Sequence, residues 1–511
     1  MEYGITNSMK TTIIYGPAGT GKTTKLLSIL EQHLADGVKP EHIGFFTFTR
    51  KAANEAVTRA REKFGFSQSR MPYFRTLHSF AFFEMGMAKA SVMQNSDYKV
   101  VCDKVGAPVS SQPVSMTAEQ FLWVQPEKGD KLIFAENLAR IRRATLEETF
   151  SHLHPEEYTL QELKLFRATL EKHKQEHHVY DFTDMLERYN SGGNLPVLEI
   201  VIIDEAQDLS VLQWALVSRI TEKEVKQLYV AGDDDQSIFN WAGAEASALI
   251  HMEGQRIVLD KSYRIPRKVH RLAMSIVGHI RERVEKVFEP RPEEGEIHYH
   301  TALELVNMSK GEWLVLARNT YQLAQVAEHC LQAGYWCDAP GMAEYGRVVK
   351  LIRGWESLRR GKTCTVSTAN ALAPLLGIGD SATFKMTQRE ERFALAHFVR
   401  KGAGSTIWHE AMVNIPLEVR EYLISALRRK EDLLAPPRIK ISTIHGAKGG
   451  EADNVLLLTD ISKRTEEEME KNPDAEHRVW YVAVTRARKT LHIVEPRTNR
   501  SYYEHLFKLS S

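Results

Sequence analysis

The chain has 511 residues, 43% apolar and 26% charged, which excludes a disordered or fibrous protein and exceeds what one hydrophobic core can organise. Its 67 basic and 66 acidic residues leave a formal net charge of +1, a balance that decides nothing about nucleic acid because charge can be segregated onto separate faces. No stretch approaches the roughly 18 apolar residues of a membrane span and the first residues have no signal-peptide pattern, so a cytoplasmic protein without a membrane partner is expected.

Residues 1–10 read as a short polar arm. The β-branched run Thr11 to Ile14 predicts a strand and Thr24 to Leu34 a helix, with Gly16-Pro17-Ala18-Gly19-Thr20-Gly21-Lys22-Thr23 between them. Strand, G-x-x-x-x-G-K-T loop and helix in that order make a phosphate cradle. The glycines let backbone N–H groups turn toward an anion, and the helix offers its positive end to the same point. Lys22 then reaches the β- and γ-phosphates and the Thr23 hydroxyl holds Mg²⁺; a ligand-free glycine turn is the alternative.

Ile43 to Thr49 predicts a second strand, Arg50 to Ala60 a helix, and Tyr73 to Phe80 a third short strand-like element, the spacing of a parallel, helix-covered sheet. From about Glu84 to Val179 the chain turns helical, charged and proline-broken, which indicates an inserted subdomain. His173, His177 and His178 lie at its end, on what is expected to be an exposed helix face, with a metal site as the alternative.

Leu198 to Ile203 is a continuous apolar run suited to a strand buried on both faces, and it ends in Asp204-Glu205-Ala206-Gln207-Asp208. Acids at that end of a strand are placed for Asp204 to hold Mg²⁺ and for Glu205 to polarise the attacking water; capping of the next helix is the alternative. Gln227 to Ala231 predicts another strand, followed by Gly232-Asp233-Asp234-Asp235-Gln236 and Ser237 to Trp241. The Gln236 amide is placed to sense the γ-phosphate. Phe239 and Trp241 alternate as on one face of an extended segment, either as core or as a base-stacking platform.

A second α/β set, with strands expected at Trp313 to Arg318, Ile439 to Ile444 and Leu491 to Val494, has no glycine loop of its own. Its Arg264 and Arg486 suit a domain that closes over a nucleotide held by its neighbour, surface ion pairs being the alternative. Residues 361–437 read as a second insertion, with helical runs at Gln388 to Arg400 and Leu417 to Lys430. The four cysteines, Cys102, Cys330, Cys337 and Cys364, are scattered and are expected as buried reduced thiols.

Together the motifs carry a resemblance: Thr47-Phe48-Thr49-Arg50-Lys51-Ala52-Ala53, Thr76-Leu77-His78-Ser79, Asp181-Phe182-Thr183-Asp184, Asp204 to Asp208, Gly232 to Ile238, Ser262-Tyr263-Arg264, Thr443-Ile444-His445-Gly446-Ala447-Lys448-Gly449 with Glu451, and Tyr481 to Ala487. In that order they resemble the UvrD/Rep-like branch of superfamily 1 helicases over nearly the whole chain. The resemblance implies an α/β fold of two RecA-like parallel-sheet motor domains, each with an inserted mainly helical accessory subdomain. The implied division is 1–84 with 179–255, 85–178, 256–360 with 438–511, and 361–437. It implies an ATP-dependent 3′ to 5′ DNA helicase that uses ATP and Mg²⁺ and takes single-stranded DNA and 3′-tailed duplexes. A translocase that displaces proteins with little unwinding, or a non-hydrolysing DNA-binding protein, are the alternatives. Catalysis falls to Lys22, Asp204, Glu205, Gln236, Arg264 and Arg486, and nucleotide binding to Gly16, Pro17, Ala18, Gly19, Thr20, Gly21, Thr23, Thr24, Tyr263 on adenine and Glu451 on ribose. The DNA track maps to Phe48, Thr49, Arg50, His78, Phe239, Trp241 and His445. Residues 1–10 hold no glutamine, where that family reads adenine with one, and Thr24 stands where many members have an arginine.

Overall fold

The computed structural model describes residues 9–47, 50–110, 127–385, 392–433 and 435–507. The first sheet is parallel and takes β1 (Lys10–Tyr15), β2 (Ile43–Phe46), β3 (Phe74–Arg75), β4 (Ile200–Ile203), β5 (Gln227–Gly232) and β6 (Gln255–Val258) in the order β3-β2-β4-β5-β1-β6. Ile13, Ile14, Val201 and Ile202 are fully buried, as a strand covered by helices on both faces requires. The chain leaves β1 and resumes at β2 beyond β5 and β4, so the strand order reverses beside β1. Such a reversal opens a crevice at the carboxyl ends of the strands, where the phosphate loop and both acidic segments emerge.

Some elements differ from expectation. Only Phe74 and Arg75 of the third element are strand, because the Thr76 hydroxyl accepts the Ser79 N–H at 3.3 Å and caps the helix Leu77–Glu84. The segment around Trp241 is not extended: Asn240–Ala242 is one tight 3₁₀ turn closed by Gly243 at φ 96°. The strand β6 was not foreseen, and it carries the first sheet past residue 255.

Between β3 and β4 the helices Asn95–Lys104, Lys128–Ile141, Leu146–Leu153 and Leu160–His177 bury a core of their own around Val101, Leu132 and Phe166. His173 corrects the expected exposed histidine face: it is 3% exposed and pairs with Asp97 at 3.2 Å, while His177 and His178 do face outward. The alternative of a metal site finds no support, since no metal-binding cluster of His, Cys, Asp and Glu occurs among the described residues.

The second sheet is also parallel, with β7 (Glu296–His300), β8 (Trp313–Ala317), β9 (Cys337–Asp338), β12 (Ile439–Thr443), β13 (Ala452–Leu458) and β14 (Ala487–Val494) in the order β7-β14-β13-β8-β12-β9; β10 (Cys364–Thr365) and β11 (Arg392–Phe393) form a separate antiparallel pair. The polar start of β13, Asp453-Asn454, masks a strand that pairs with both β14 and β8. Between β9 and β12 runs the second helical segment. It begins with the helix Ala343–Arg359, whose Trp355 meets Phe398 edge-on and donates to the Thr406 carbonyl at 3.0 Å. Of the expected run Gln388 to Arg400, residues 386–391 lie outside the described residues, Arg392–Phe393 is strand, and Leu395–Val399 alone is helix. All four cysteines are free and buried, as expected. No described helix is long and apolar enough to cross a membrane.

Candidate nucleotide site and DNA face

The loop Gly16 to Thr23 joins β1 to the helix Lys22–Ala35, whose first turn carries no acid, so its amino end is free to meet an anion. Gly19 and Gly21 take φ of 75° and 80°, the left-handed region that glycine adopts without strain. Gly16 is required for another reason: a Cβ there would lie 2.0 Å from Lys22 Cγ. The lysine passes back over the loop and donates from Nζ to the Gly16 carbonyl at 2.9 Å.

Asp204 leaves the end of β4 almost fully buried and accepts the Thr23 hydroxyl at 2.9 Å. Burial pushes its carboxyl up to about 7, and the neighbouring Glu205 charge adds to the effect. Burial opposes ionisation of Glu205 too, yet the charges of Lys22 and Lys448 hold it below the ordinary carboxylate range. The two adjacent acids therefore differ, with Glu205 the more readily ionised. Glu205 sits at φ 55°, a strained conformation for a side-chain-bearing residue that turns its carboxylate into the crevice.

The second sheet closes this crevice from the other side. The Ser262 hydroxyl donates to the Ala18 carbonyl at 2.9 Å, and Tyr263 N–H to Gly19 at 2.8 Å. Arg486, 1% exposed, reaches Gln236 Oε1 at 3.0 Å, Val482 O at 2.9 Å and Gly450 O at 3.3 Å. Among the described residues its hydrogen bonds all go to neutral oxygens, and burial, with Arg264 nearby, pulls its guanidinium down to about 9. A buried cation held on neutral partners is stabilised by an incoming anion. Arg264 instead is paired with Glu451 at the rim.

One cavity brings together Lys22, Thr23, Thr24, Glu205, Gln236, Arg264 and Arg486. Asp204 stands behind Thr23, and Tyr263 projects beside the site, 70% exposed, with Lys261 5.8 Å above its ring. Sequence reasoning gave no role to Lys448, whose ammonium bridges the sheets to Asp208 at 2.6 and 2.7 Å and to the Gln236 carbonyl at 2.6 Å. Its motif was visible; its partner, across 240 positions of chain, was not.

The residues expected to form a DNA track do not lie together on one exposed face among the described residues. Phe48 and Thr49 lie outside the described residues, as does the side chain of Arg50. Phe239 and His445 do not form an exposed platform: they are 3% and 2% exposed, Phe239 beneath the Lys448 ammonium at 5.0 Å and His445 against Phe239 and Trp241. Phe239 directly precedes the 3₁₀ turn Asn240–Ala242 and Trp241 lies within it, so the two rings do not share one face of an extended segment. Trp241 is half-buried and stacks on Phe134 of the inserted helix Lys128–Ile141 at 5.8 Å, and His78 packs edge-on to Phe182, which is 42% exposed. Burial pushes His78 down to about 4, so its ring is neutral at physiological pH.

Two parallel sheets with a single phosphate loop at their shared crevice define a phosphate-loop protein of the paired RecA-like class. Residues 2–256 match the family described as UvrD/REP helicase N-terminal domain, and residues 359–497 match the UvrD-like helicase C-terminal domain. The chain belongs to the UvrD/Rep-like helicase family. It is similar to the ATP-dependent DNA helicase PcrA of Staphylococcus aureus, 24% identical over 307 residues that take in 57% of this chain and 41% of that protein. It is also similar to the ATP-dependent DNA helicase PcrA of Leuconostoc citreum, 22% identical over 362 residues, 63% of this chain and 46% of that one. The matched stretch thus spans less than half of either relative.

Proposed function

We propose that this chain hydrolyses ATP in the crevice between its sheets and uses the cycle to move 3′ to 5′ along single-stranded DNA, opening 3′-tailed duplexes. The observation that carries the reading is Arg486, a buried guanidinium on neutral partners, facing the phosphate loop from the opposite sheet with Gln236 between them. In that arrangement Lys22 binds the β- and γ-phosphates, Glu205 orients and deprotonates water, and Arg486 and Arg264 meet the charge that develops on the transferring phosphoryl group. Thr23 Oγ1 and Asp204 Oδ2, 2.9 Å apart, are hard oxygen donors that fit Mg²⁺. When bound there, the ion would neutralise charge on the β- and γ-oxygens. Tyr263 offers its exposed face to the base, Glu451 its carboxylate to the ribose, and His78 and Trp241 line the strand's path.

The test is DNA-stimulated phosphate release together with unwinding of matched 3′- and 5′-tailed duplexes with each of the four NTPs. Opening of the 3′-tailed duplex alone supports the reading; opening of only the 5′-tailed one overturns its polarity. A second reading, displacement of bound protein with little strand separation, is favoured by the short helices Val366–Leu372, Leu395–Val399 and Trp408–Ala411 of the second insertion. It is distinguished by ATP-driven release of streptavidin from biotinylated single strands without duplex opening. Absence of any DNA-stimulated hydrolysis would leave the non-hydrolysing DNA-binding alternative.

A further inference from the structure

Lys286 belongs to none of the motifs, yet it is one of the most deeply buried charges in the protein. It sits in the run Glu282-Arg283-Val284-Glu285-Lys286-Val287, where the pattern is inverted: Lys286 is 2% exposed and Val287 78%. Ile280 and Phe288 root this segment in the second sheet's core, and Asp474 accepts the N–H groups of Arg281 and Glu282 at 3.0 and 3.1 Å. From that base the ammonium crosses to the segment after β5. It lies 3.3 Å from Asp233 Oδ1 and 2.9 Å from Asp235 Oδ2, and it donates to Asp234 Oδ1. Arg283 adds two bonds to Asp235 at 2.8 and 2.6 Å, and Arg478 donates to the Asp234 carbonyl at 2.9 Å.

Burying charges in this way is a poor route to stability, since desolvation offsets most of the attraction. The cluster has a second property, which is reach. Asp233 Oδ2 accepts from Gln236 Nε2 at 2.7 Å, while Gln236 Oε1 accepts from Arg486 Nη2 at 3.0 Å. An ionised carboxylate only accepts and a guanidinium only donates, so the amide has a single allowed orientation. Asp233 holds one end of that amide while flanked by two further acids, and Lys286 is the cation that touches all three.

We propose that Lys286 is a positioning residue for the hydrolytic site: bound to Asp233 and its two neighbours from the opposite sheet, it keeps the Gln236 carbonyl turned toward Arg486 and ties hydrolysis to the seating of one sheet on the other. The inference rests on the functional reading above. Its test compares Lys286→Met with Arg283→Met in the full chain. Arg283 shares the segment and the acid cluster but makes no bond to Asp233, so it controls for a purely structural role. Thermal unfolding should show comparable losses in the two variants. In DNA-stimulated ATPase, Lys286→Met should lose about tenfold or more in kcat with KM for ATP within about twofold of the parent, and Arg283→Met should keep kcat within about threefold. Should Lys286→Met fail to fold, Lys286→Met with Asp234→Asn, which removes one charge of each sign, takes its place with the same expected loss. An unchanged kcat, or an equal loss in the Arg283 variant, overturns the inference while the functional reading stands. A parent chain without DNA-stimulated ATPase overturns both.

Discussion

Gly16 shows how the site depends on single atoms. Its missing Cβ is the space through which Lys22 returns over the loop, so Gly16→Ala should displace the lysine and depress ATPase about as strongly as Lys22→Ala. Lys22→Ala is expected to lower DNA-stimulated phosphate release by about 100-fold or more, the scale of losing a charge-stabilising donor, with the thermal midpoint nearly unchanged. A Lys22→Ala variant turning over at the parental rate would remove the phosphate-loop assignment. The residues that make the crevice catalytic in form were legible because their chemistry is local: a loop, two acids at a strand end, an amide after acids. Lys286 was not, because a charged run reads as a solvated face and only tertiary packing turns its lysine inward. The extended segment expected at Phe239 and Trp241 failed for a related reason, since alternation predicts a shared face only when the backbone is extended, and one 3₁₀ turn removes that condition.

At the scale of elements, the inserted helix Lys128–Ile141 is fastened to the turn that carries Trp241. Phe134 stacks on the indole, Arg142 donates to the Asn240 carbonyl at 2.6 Å, and a Cβ on Gly243 would lie 2.7 Å from Ile141. Trp241→Ala should weaken single-stranded DNA binding by about 1 to 3 kcal/mol, and Arg142→Ala, which frees the turn without removing the ring, by a smaller amount; fluorescence anisotropy with a labelled oligonucleotide measures both. Equal affinity in Trp241→Ala and the parent would remove the indole from the DNA path. A second prediction belongs to the helix Pro473–Val484. Its His477 is buried against Tyr502, and burial, with His505 and His279 adjacent, lowers it to about 4. The unfolded imidazole takes its proton near 6.5, so between those values the unfolded state binds more protons and stability falls as pH drops. The unfolding midpoint should decline from pH 6.5 toward 4, and the decline should be shallower in His477→Gln. Strands with β-branched or unbroken apolar runs, β1, β4 and β8, were legible in the sequence; β13 and β6 were hidden by polar residues that the parallel ladder tolerates where a strand starts or runs along an edge.

Across the whole molecule, the two sheets are joined by contacts that are polar and buried: Ser262 to Ala18, Lys448 to Asp208, Arg486 to Gln236 and the Lys286 cluster. Breaking any of these leaves a desolvated group without a partner, so the sheets should lose structure together, and calorimetry of the parent chain should show one dominant transition. Two well-separated transitions would show the joint to be weaker than its contacts indicate. The arrangement of two sheets was legible because strands and helices alternate along the chain. The joint was not, because the Ser262, Lys448 and Arg486 contacts each span more than two hundred residues of sequence and the Lys286 cluster 52.

The outer strands have a consequence of another kind. On one side each sheet ends in a strand of two residues, β3 and β9, too short to template a new neighbour. On the other side β6 and β7 carry Arg256, Glu296 and His298, whose polar side chains discourage pairing. Blunt, polar margins of this kind leave neither sheet an open edge onto which a second copy could zip, so crowding alone should not drive strand-to-strand aggregation.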